Sequence, residues 1–158
     1  MVIVAYRIRP ARLDDFQRIT EILQRVGHYN DQIKIIPEFK EKEHYFYRLN
    51  DSLEVFKKSL NNPEELPLVA VVGEKVVGTM TKVAQFGGYG YQGRFAVEPD
   101  YQRQGIGTAL SKAAEQFLKS RGAKKLFVHI RDNNDVSVNF AIMHGYTMCA
   151  HSLYDKNV

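Results

Sequence analysis

Gly105 and Gly107 stand one residue apart, after Gln102-Arg103-Gln104 and before Thr108-Ala109-Leu110. Upstream, Phe95-Ala96-Val97 reads as the end of a strand and Glu98-Pro99-Asp100-Tyr101 as a turn. A strand enters, a short loop turns, and a helix leaves near Gly105. The first turn of a helix carries backbone N–H groups with no partner and the positive end of the helix dipole. Two glycines remove the side chains there, so a diphosphate can approach the backbone. Each charge-assisted hydrogen bond is worth roughly 1.5–3 kcal/mol, and a handful would hold such a group. Arg103 adds positive charge nearby. A bare Gly-x-Gly equally serves a tightly turned helix start, so the pattern alone leaves both readings open.

Two other phosphate-binding loops are excluded. A P-loop requires Gly-Lys-Ser/Thr, whereas Gly107 is followed by Thr108-Ala109. A dinucleotide fingerprint requires a third glycine and a later acidic residue within an early βαβ unit. Three residues after Gly107 stands Leu110, and the loop lies in the second half of the chain.

The flanking sequence predicts the elements that position this loop. Val4 to Ile8 reads as a first strand ended at Pro10. Phe16, Ile19, Leu23 and Val26 at helical spacing predict a helix from about Leu13 to Val26, with Asp14 and Asp15 at its positive end and Gly27 as its stop. Residues 28–50 mix charge with Tyr29, Phe39, His44, Tyr45, Phe46 and Tyr47, and give no clear period. Ser52 to Leu60 reads as a helix. Leu68–Val72, a Gly73-Glu74-Lys75 turn and Val76–Ala84 predict a hairpin. Phe86-Gly87-Gly88 turns again into Tyr91–Val97. A helix from Gly105 to about Ser120 packs Ile106, Leu110, Ala113, Ala114, Phe117 and Leu118, and ends at Gly122. Leu126–Ile130 reads as a buried strand, Ser137–Met143 as a short helix, and Tyr146–Ser152 as a last strand. The expectation is one mixed α/β domain over residues 1–158.

Composition narrows the class. Apolar residues are 44% and charged residues 25% of the 158, ordinary for a globular protein. Lys plus Arg is 22 against 18 for Asp plus Glu, a formal charge of +4. That mild excess suits an anionic ligand, but no dense basic run marks a nucleic-acid footprint. A single cysteine, Cys149, rules out a disulfide framework within the chain. Met1 to Ala5 precedes Tyr6 and Arg7, which is too short for a signal sequence, and no apolar run nears the roughly 18–20 residues of a membrane helix. The expectation is a cytoplasmic protein without a metal site.

Gln102-Arg103-Gln104-Gly105-Ile106-Gly107 resembles the Arg/Gln-x-x-Gly-x-Gly/Ala motif of the GCN5-related N-acetyltransferase (GNAT) superfamily. The Val97-to-Tyr101 lead-in is similar too. So is Asn134 to Tyr146, set against the family's Asn-x-x-Ala-x-x-Phe-Tyr-x-x-x-Gly-Phe stretch. The order of elements agrees over almost the whole chain.

The resemblance implies an α/β (α+β) fold: a mixed, mostly antiparallel central sheet, flanked by helices, with a splayed strand pair that holds acetyl-CoA. Phe95, Ala96 and Val97 would offer backbone contacts to the pantetheine arm, with the Val97 N–H as oxyanion donor. Gln102, Arg103, Gln104, Gly105, Ile106, Gly107 and Thr108 would hold the pyrophosphate. Asn134 would touch the pantetheine arm; a helix-cap asparagine is its plain alternative. The reaction would transfer acetyl to a primary amine, on a small molecule or peptide, by direct attack in a ternary complex. Relatives commonly form homodimers. The acceptor would be read by roughly Val26 to Leu53 and Gly145 to Tyr154.

The chemistry needs a neutral amine. A lysine amine is neutral only about once in 2,500 at pH 7. A base is therefore required, and His129, five residues before Asn134, is the candidate, since histidine titrates near neutrality. A structural histidine bonded within the fold is the alternative. One departure concerns the acid: the family tyrosine after the motif phenylalanine is here Ala141. Tyr89, Tyr91, Tyr146 or a water could replace it, although each tyrosine also reads as packing. That departure keeps open a second function, a coenzyme-binding regulatory module with weak or no catalysis. Cys149 reads as a packed, inert thiol, and Lys119, Arg121, Lys124 and Lys125 as a solvated turn or an attraction for coenzyme phosphates.

Overall fold

The computed structural model describes residues 4–27, 53–130, 135–150 and 152–158. The aromatic stretch 28–50 and Asn134 lie outside the described residues. Seven strands form one sheet: β1 (Arg7–Pro10), β2 (Leu68–Val72), β3 (Lys75–Phe86), β4 (Tyr89–Val97), β5 (Lys125–His129), β6 (Thr147–Ala150) and β7 (Leu153–Asn157). Their order across the sheet is β1-β2-β3-β4-β5-β7-β6. All neighbours run antiparallel except β4 and β5. The described helices are α1 (Phe16–Ile22), α2 (Leu53–Leu60), α3 (Ile106–Ser120) and α4 (Asp135–Met143).

Alternation along the strands divides the core between two faces. In β2, Leu68 and Ala70 pack with Ile106, Leu110, Ala114 and Leu118 of α3. Val69 and Val71 pack with Ile19 and Ile22 of α1 and Phe56 of α2. A strand covered on both faces needs an unbroken apolar run, which is what Leu68–Val72 is. Between β3 and β4 the turn residues Gly87 and Gly88 have φ of 58° and 83°. Two left-handed residues in succession are what a tight hairpin demands, and glycine adopts them without strain.

The structure shifts several expected boundaries. The first strand is Arg7–Pro10 rather than Val4–Ile8, and it takes in Pro10. It is an edge strand, where a residue without an N–H is tolerated. The first helix begins as a 3-10 turn at Leu13–Asp15 and ends as a π-helical turn at Leu23–Gly27. The expected last strand, Tyr146–Ser152, is instead a hairpin. The chain turns at Ser152, with φ of 57°, and β7 inserts between β5 and β6. Leu153-Tyr154-Asp155-Lys156-Asn157 is too polar to announce a strand, because Lys156 bonds Glu115 of α3 at 3.0 Å and only Tyr154 is buried.

Asp15 does not decorate a helix start as its position suggests. Its carboxylate accepts both terminal nitrogens of Arg9, at 2.7 and 3.0 Å, and the Arg12 N–H at 2.7 Å. Burial alone would raise its pKa; the bonds from Arg9 and Arg12, with their charges, outweigh burial and hold it below the usual range. A lowered folded value means that this stability is present above the unfolded pKa of about 3.9. It is lost as pH falls through the folded value. Asp15→Asn should therefore cost about 1–2 kcal/mol at neutral pH. Urea unfolding midpoints should then fall less steeply for the variant than for the parent below about pH 4. Parallel acid profiles would refute the assignment.

Candidate active site

Strands β4 and β5 begin side by side and then part. Tyr89, Gly90, Tyr91 and Gln92 pair with Lys125, Leu126, Phe127 and Val128. Beyond Gln92, β4 continues along β3 to Val97, while β5 ends one residue after its last pair with β4, at His129, with β7 on its other side throughout. Phe95, Ala96 and Val97 thus lie on a stretch of β4 that, among the described residues, has a strand paired on one side only. The Glu98 N–H donates to the Val77 carbonyl at 2.8 Å, and Val97 stands opposite Gly78. Hydrogen-bonding residues alternate along an antiparallel pair, so the N–H and C=O of Val97 turn away from β3 into the opening. Gln102 Nε2 meets that carbonyl at 2.8 Å. Phe95 has the same phase. Ala96 has the opposite one: its backbone is directed to Thr79, and its side chain joins the α1-side core. Of the three expected backbone contacts, Ala96 is therefore the one whose polar groups face the sheet.

The glycine loop lies at the end of this strand. Arg103 has φ of 62° and Gly105, the N-cap of α3, φ of 86°. Left-handed residues in a loop turn successive amides into one concavity, the arrangement that binds anions. Gly105 and Arg103 are exposed. Ile106, by contrast, is 1% exposed and anchors the core, so it has only a backbone N–H to offer. Gln104 Nε2 donates to the Asp100 carbonyl at 3.4 Å. Its Oε1 is buried, with no hydrogen-bond partner among the described residues. Gly107 admits no side chain, because a Cβ would stand 2.8 Å from Phe95 Cζ. The Phe95 ring packs on Phe140 at 5.4 Å, and Phe140 on His144 at 4.1 Å. His144 Nδ1 donates to the Phe140 carbonyl at 2.7 Å. That leaves its Nε2 to accept from the Thr108 hydroxyl at 3.3 Å. An exposed, glycine-lined helix start beside a strand whose Phe95 and Val97 amides turn away from β3 fits a diphosphate followed by an extended polar arm. Sequence reasoning had no signal for the Thr108–His144 pair, which are 36 residues apart.

His129 is the last residue of β5 and the first beyond the β4–β5 pairing. Leu126 and Val128 face α3, so alternation puts His129 on the α1 face. Its side chain is exposed and makes no hydrogen bond among the described residues, while its backbone pairs with Leu153 of β7. The tyrosines proposed as acids are placed otherwise. Tyr146 is buried, accepts from Gln92 Nε2 at 2.8 Å, and has its pKa pushed far up, first by burial and then by Glu115. Tyr89 and Tyr91 pack on Phe127 near the hairpin turn. Ala141 is buried in the α3-side core. Cys149 is exposed on β6, not packed as its sequence suggested. The Lys119–Lys125 cluster sits at the far end of α3, some 22 Å from the glycine loop at 1.5 Å per residue, too far to draw a phosphate into that loop.

A buried carboxylate fixes the end of β4. Glu98 Oε1 accepts from Arg18 at 2.8 Å and also binds Arg25 on the π-helical turn. Arg18 further donates to the Val76 carbonyl at 3.0 Å. These bonds hold the α1 segment against the strand that borders the opening.

The sequence profile of the Acetyltransferase (GNAT) family matches residues 27–146. An acetyltransferase of Sodalis glossinidius is 35% identical over 139 residues, covering 84% of this chain and 80% of that protein. An acetyltransferase of Yersinia pestis is 36% identical over 93 residues, covering 56% of this chain. The match spans 62% of the Yersinia protein, less than two thirds of its length. Among solved structures, the PaiA N-acetyltransferase of Thermoplasma acidophilum, crystallised in complex with coenzyme A, agrees with a TM-score of 0.80 at 20% identity, over 98% of this chain and 99% of that one. The ribosomal-protein-S18-alanine N-acetyltransferase of Escherichia coli agrees with a TM-score of 0.69 at 17% identity, over 96% and 91%. At such identities these likenesses speak for the fold. With the profile match spanning most of its length, this chain belongs to the Acetyltransferase (GNAT) family.

Proposed function

We propose that this protein transfers an acetyl group from acetyl-CoA to a primary amine by direct attack in a ternary complex. The parting of β4 from β5 beside the glycine-turned start of α3 carries this reading. It supplies an extended row of backbone groups leading to a helix N-terminus, which suits a long ligand with a diphosphate at one end. The backbone from Arg103 to Thr108 would hold the pyrophosphate, with the Arg103 charge nearby. Phe95 and Val97 would pair with the pantetheine amides as a further strand would.

At the reacting end, His129 takes a proton from the incoming amine, directly or through one water. The amine nitrogen then forms a bond to the thioester carbon. Charge gathers on the carbonyl oxygen, where the Val97 N–H can donate. The C–S bond breaks, the sulfur leaves as thiolate, and the nitrogen gives its remaining excess proton to that thiolate or to water as the amide forms. A thiol of pKa near 8.5 leaves without an obligatory acid, so the absence of a tyrosine at Ala141 slows the step rather than forbidding it.

Ala141 and the locked Tyr146 favour a second reading, a coenzyme-binding module with weak turnover. Titration with acetyl-CoA by calorimetry, followed by thiol release over a panel of primary amines, separates the two. Saturable binding with amine-dependent release is expected. Binding without release from any amine would favour the module, and no binding at millimolar coenzyme would sink both.

A further inference from the structure

His144 directly follows α4, and its ring is held on two sides. It stacks on Phe140 at 4.1 Å, and its Nδ1 meets the Phe140 carbonyl at 2.7 Å. A carbonyl oxygen only accepts, so Nδ1 carries a proton, and this bond fixes both the ring and its tautomer. Nε2 is thereby aimed at the Thr108 hydroxyl, 3.3 Å away. Thr108 is the third residue of α3 and half-buried. Its N–H is one of the first-turn amides without a helical partner. Helical side chains lean back toward the N-terminus, so the hydroxyl lies over the turn that begins at Gly105. Between them Gly107 rests against Phe95 and Phe140. A row of rings, Phe95, Phe140 and His144, therefore leads along the glycine loop to this one hydroxyl.

A hydroxyl has a single proton to give. Beside a neutral imidazole, Nε2 offers only a lone pair, and the Thr108 proton goes to it. The oxygen then presents only lone pairs to the loop, and a phosphate oxygen, itself an acceptor, finds no donor there. A proton on Nε2 reverses the order. Nε2 then donates to Thr108 Oγ1, and the Thr108 proton turns to the phosphate.

We infer that His144 is a positioning residue for the coenzyme diphosphate, taking up a proton as the diphosphate binds and so turning the Thr108 hydroxyl into its donor. The inference rests on the coenzyme binding proposed above. The proton comes from solvent to Nε2, and no bond of Thr108 breaks. Among the described residues no carboxylate bonds His144, so the diphosphate is the anion that compensates the added charge. The charged groups around the ring come from three elements. Lys112 stands one turn along α3 from Thr108, and Arg103 on the loop before it. Lys156 of β7 passes within 3.6 Å of a Cβ placed on Gly145, but Glu115 of α3 neutralises it at 3.0 Å. Asp135 lies at the opposite end of α4. The carbonyl end of α4 and the face of Phe140 both suit a cation.

The experiment titrates coenzyme A into the full chain by calorimetry near neutral pH, in Tris, HEPES and PIPES. These buffers differ in ionisation enthalpy, so the change in heat between them counts the protons taken up. The parent should take up more protons than His144→Gln, whose amide donates to Thr108 without one. By linkage, coenzyme affinity should rise more steeply with falling pH in the parent than in that variant. Thr108→Val should lose the same uptake and weaken binding about tenfold or more, while Thr108→Ser should keep the uptake. Ionisation of the coenzyme's own phosphates is common to all four proteins and cancels in the comparison. Equal uptake by the parent and a folded His144→Gln would overturn the assignment while leaving coenzyme binding intact. So would uptake that persists in Thr108→Val, because the ring would then act without the hydroxyl. If His144→Gln fails to fold, Thr108→Val against Thr108→Ser decides the matter. Absence of coenzyme A binding by the parent would remove the proposed function and this inference with it.

Discussion

Gly107→Glu is expected to weaken acetyl-CoA binding at least a hundredfold, about 2.7 kcal/mol, in a protein that still folds. Gly107 is the second residue of α3. A side chain there meets Phe95 Cζ at 2.8 Å and Phe140 Cε2 at 3.5 Å, so the aromatic pair beneath the loop must shift. Overpacking of this kind costs about 1–3 kcal/mol. A carboxylate in the first helical turn recovers roughly 0.3–1 kcal/mol of that, because it suits the helix dipole. The same carboxylate adds a negative charge to the helix start proposed to hold the pyrophosphate, and so repels it. Gly107→Ala separates the two causes, since it has the clash without the charge. Calorimetric titration reads the affinity, and thermal melting verifies the fold. A folded Gly107→Glu protein that binds within threefold of the parent would show that the pyrophosphate lies elsewhere.

His129→Ala should lower kcat and kcat/KM together by roughly a hundred to ten thousandfold, the usual contribution of a general base. A joint fall marks an interaction made in the transition state rather than in binding. The side chain is exposed and unbonded among the described residues, so melting temperature and acetyl-CoA affinity should stay near those of the parent. The pH profile is the sharper readout. In the parent, the rate should show a limb that depends on the group accepting the amine's proton. In the variant that limb should vanish, leaving a rate that climbs only as the free amine itself deprotonates. An unchanged profile would take His129 out of the mechanism, and base duty would pass to a water or to the acceptor's own solvent shell.

The glycine loop is legible in the amino-acid sequence because its requirement is local. Gly105 must adopt a left-handed φ of 86° within the turn itself, and Gly107 lies against the ring of Phe95, on the strand that feeds the loop. The hairpins from Leu68 to Val97 are legible for the same reason, through β-branched runs and paired turn glycines. Arg94 is not. Its left-handed backbone, with φ of 53°, falls on a residue type that gives no warning, and it arises from the parting of two strands whose paired segments begin 36 residues apart at Tyr89 and Lys125. Nor is β7, whose polar side chains reach partners on α3 and β5.

Local rules of spacing, turn chemistry and steric room determined from the sequence that a strand, a glycine loop and a helix would follow one another, and that His129 would fall on a strand nearby. Which strand lost its neighbour, which backbone groups were left facing the opening, and which face each side chain took were decided by tertiary structure. Strand order and register depend on partners brought together from distant parts of the chain, and alternation turns a single left-handed residue into a change of face. Only the folded sheet therefore decided that β4 and β5 pair over Tyr89–Gln92 and no further, and that Val97 lies beyond that pairing.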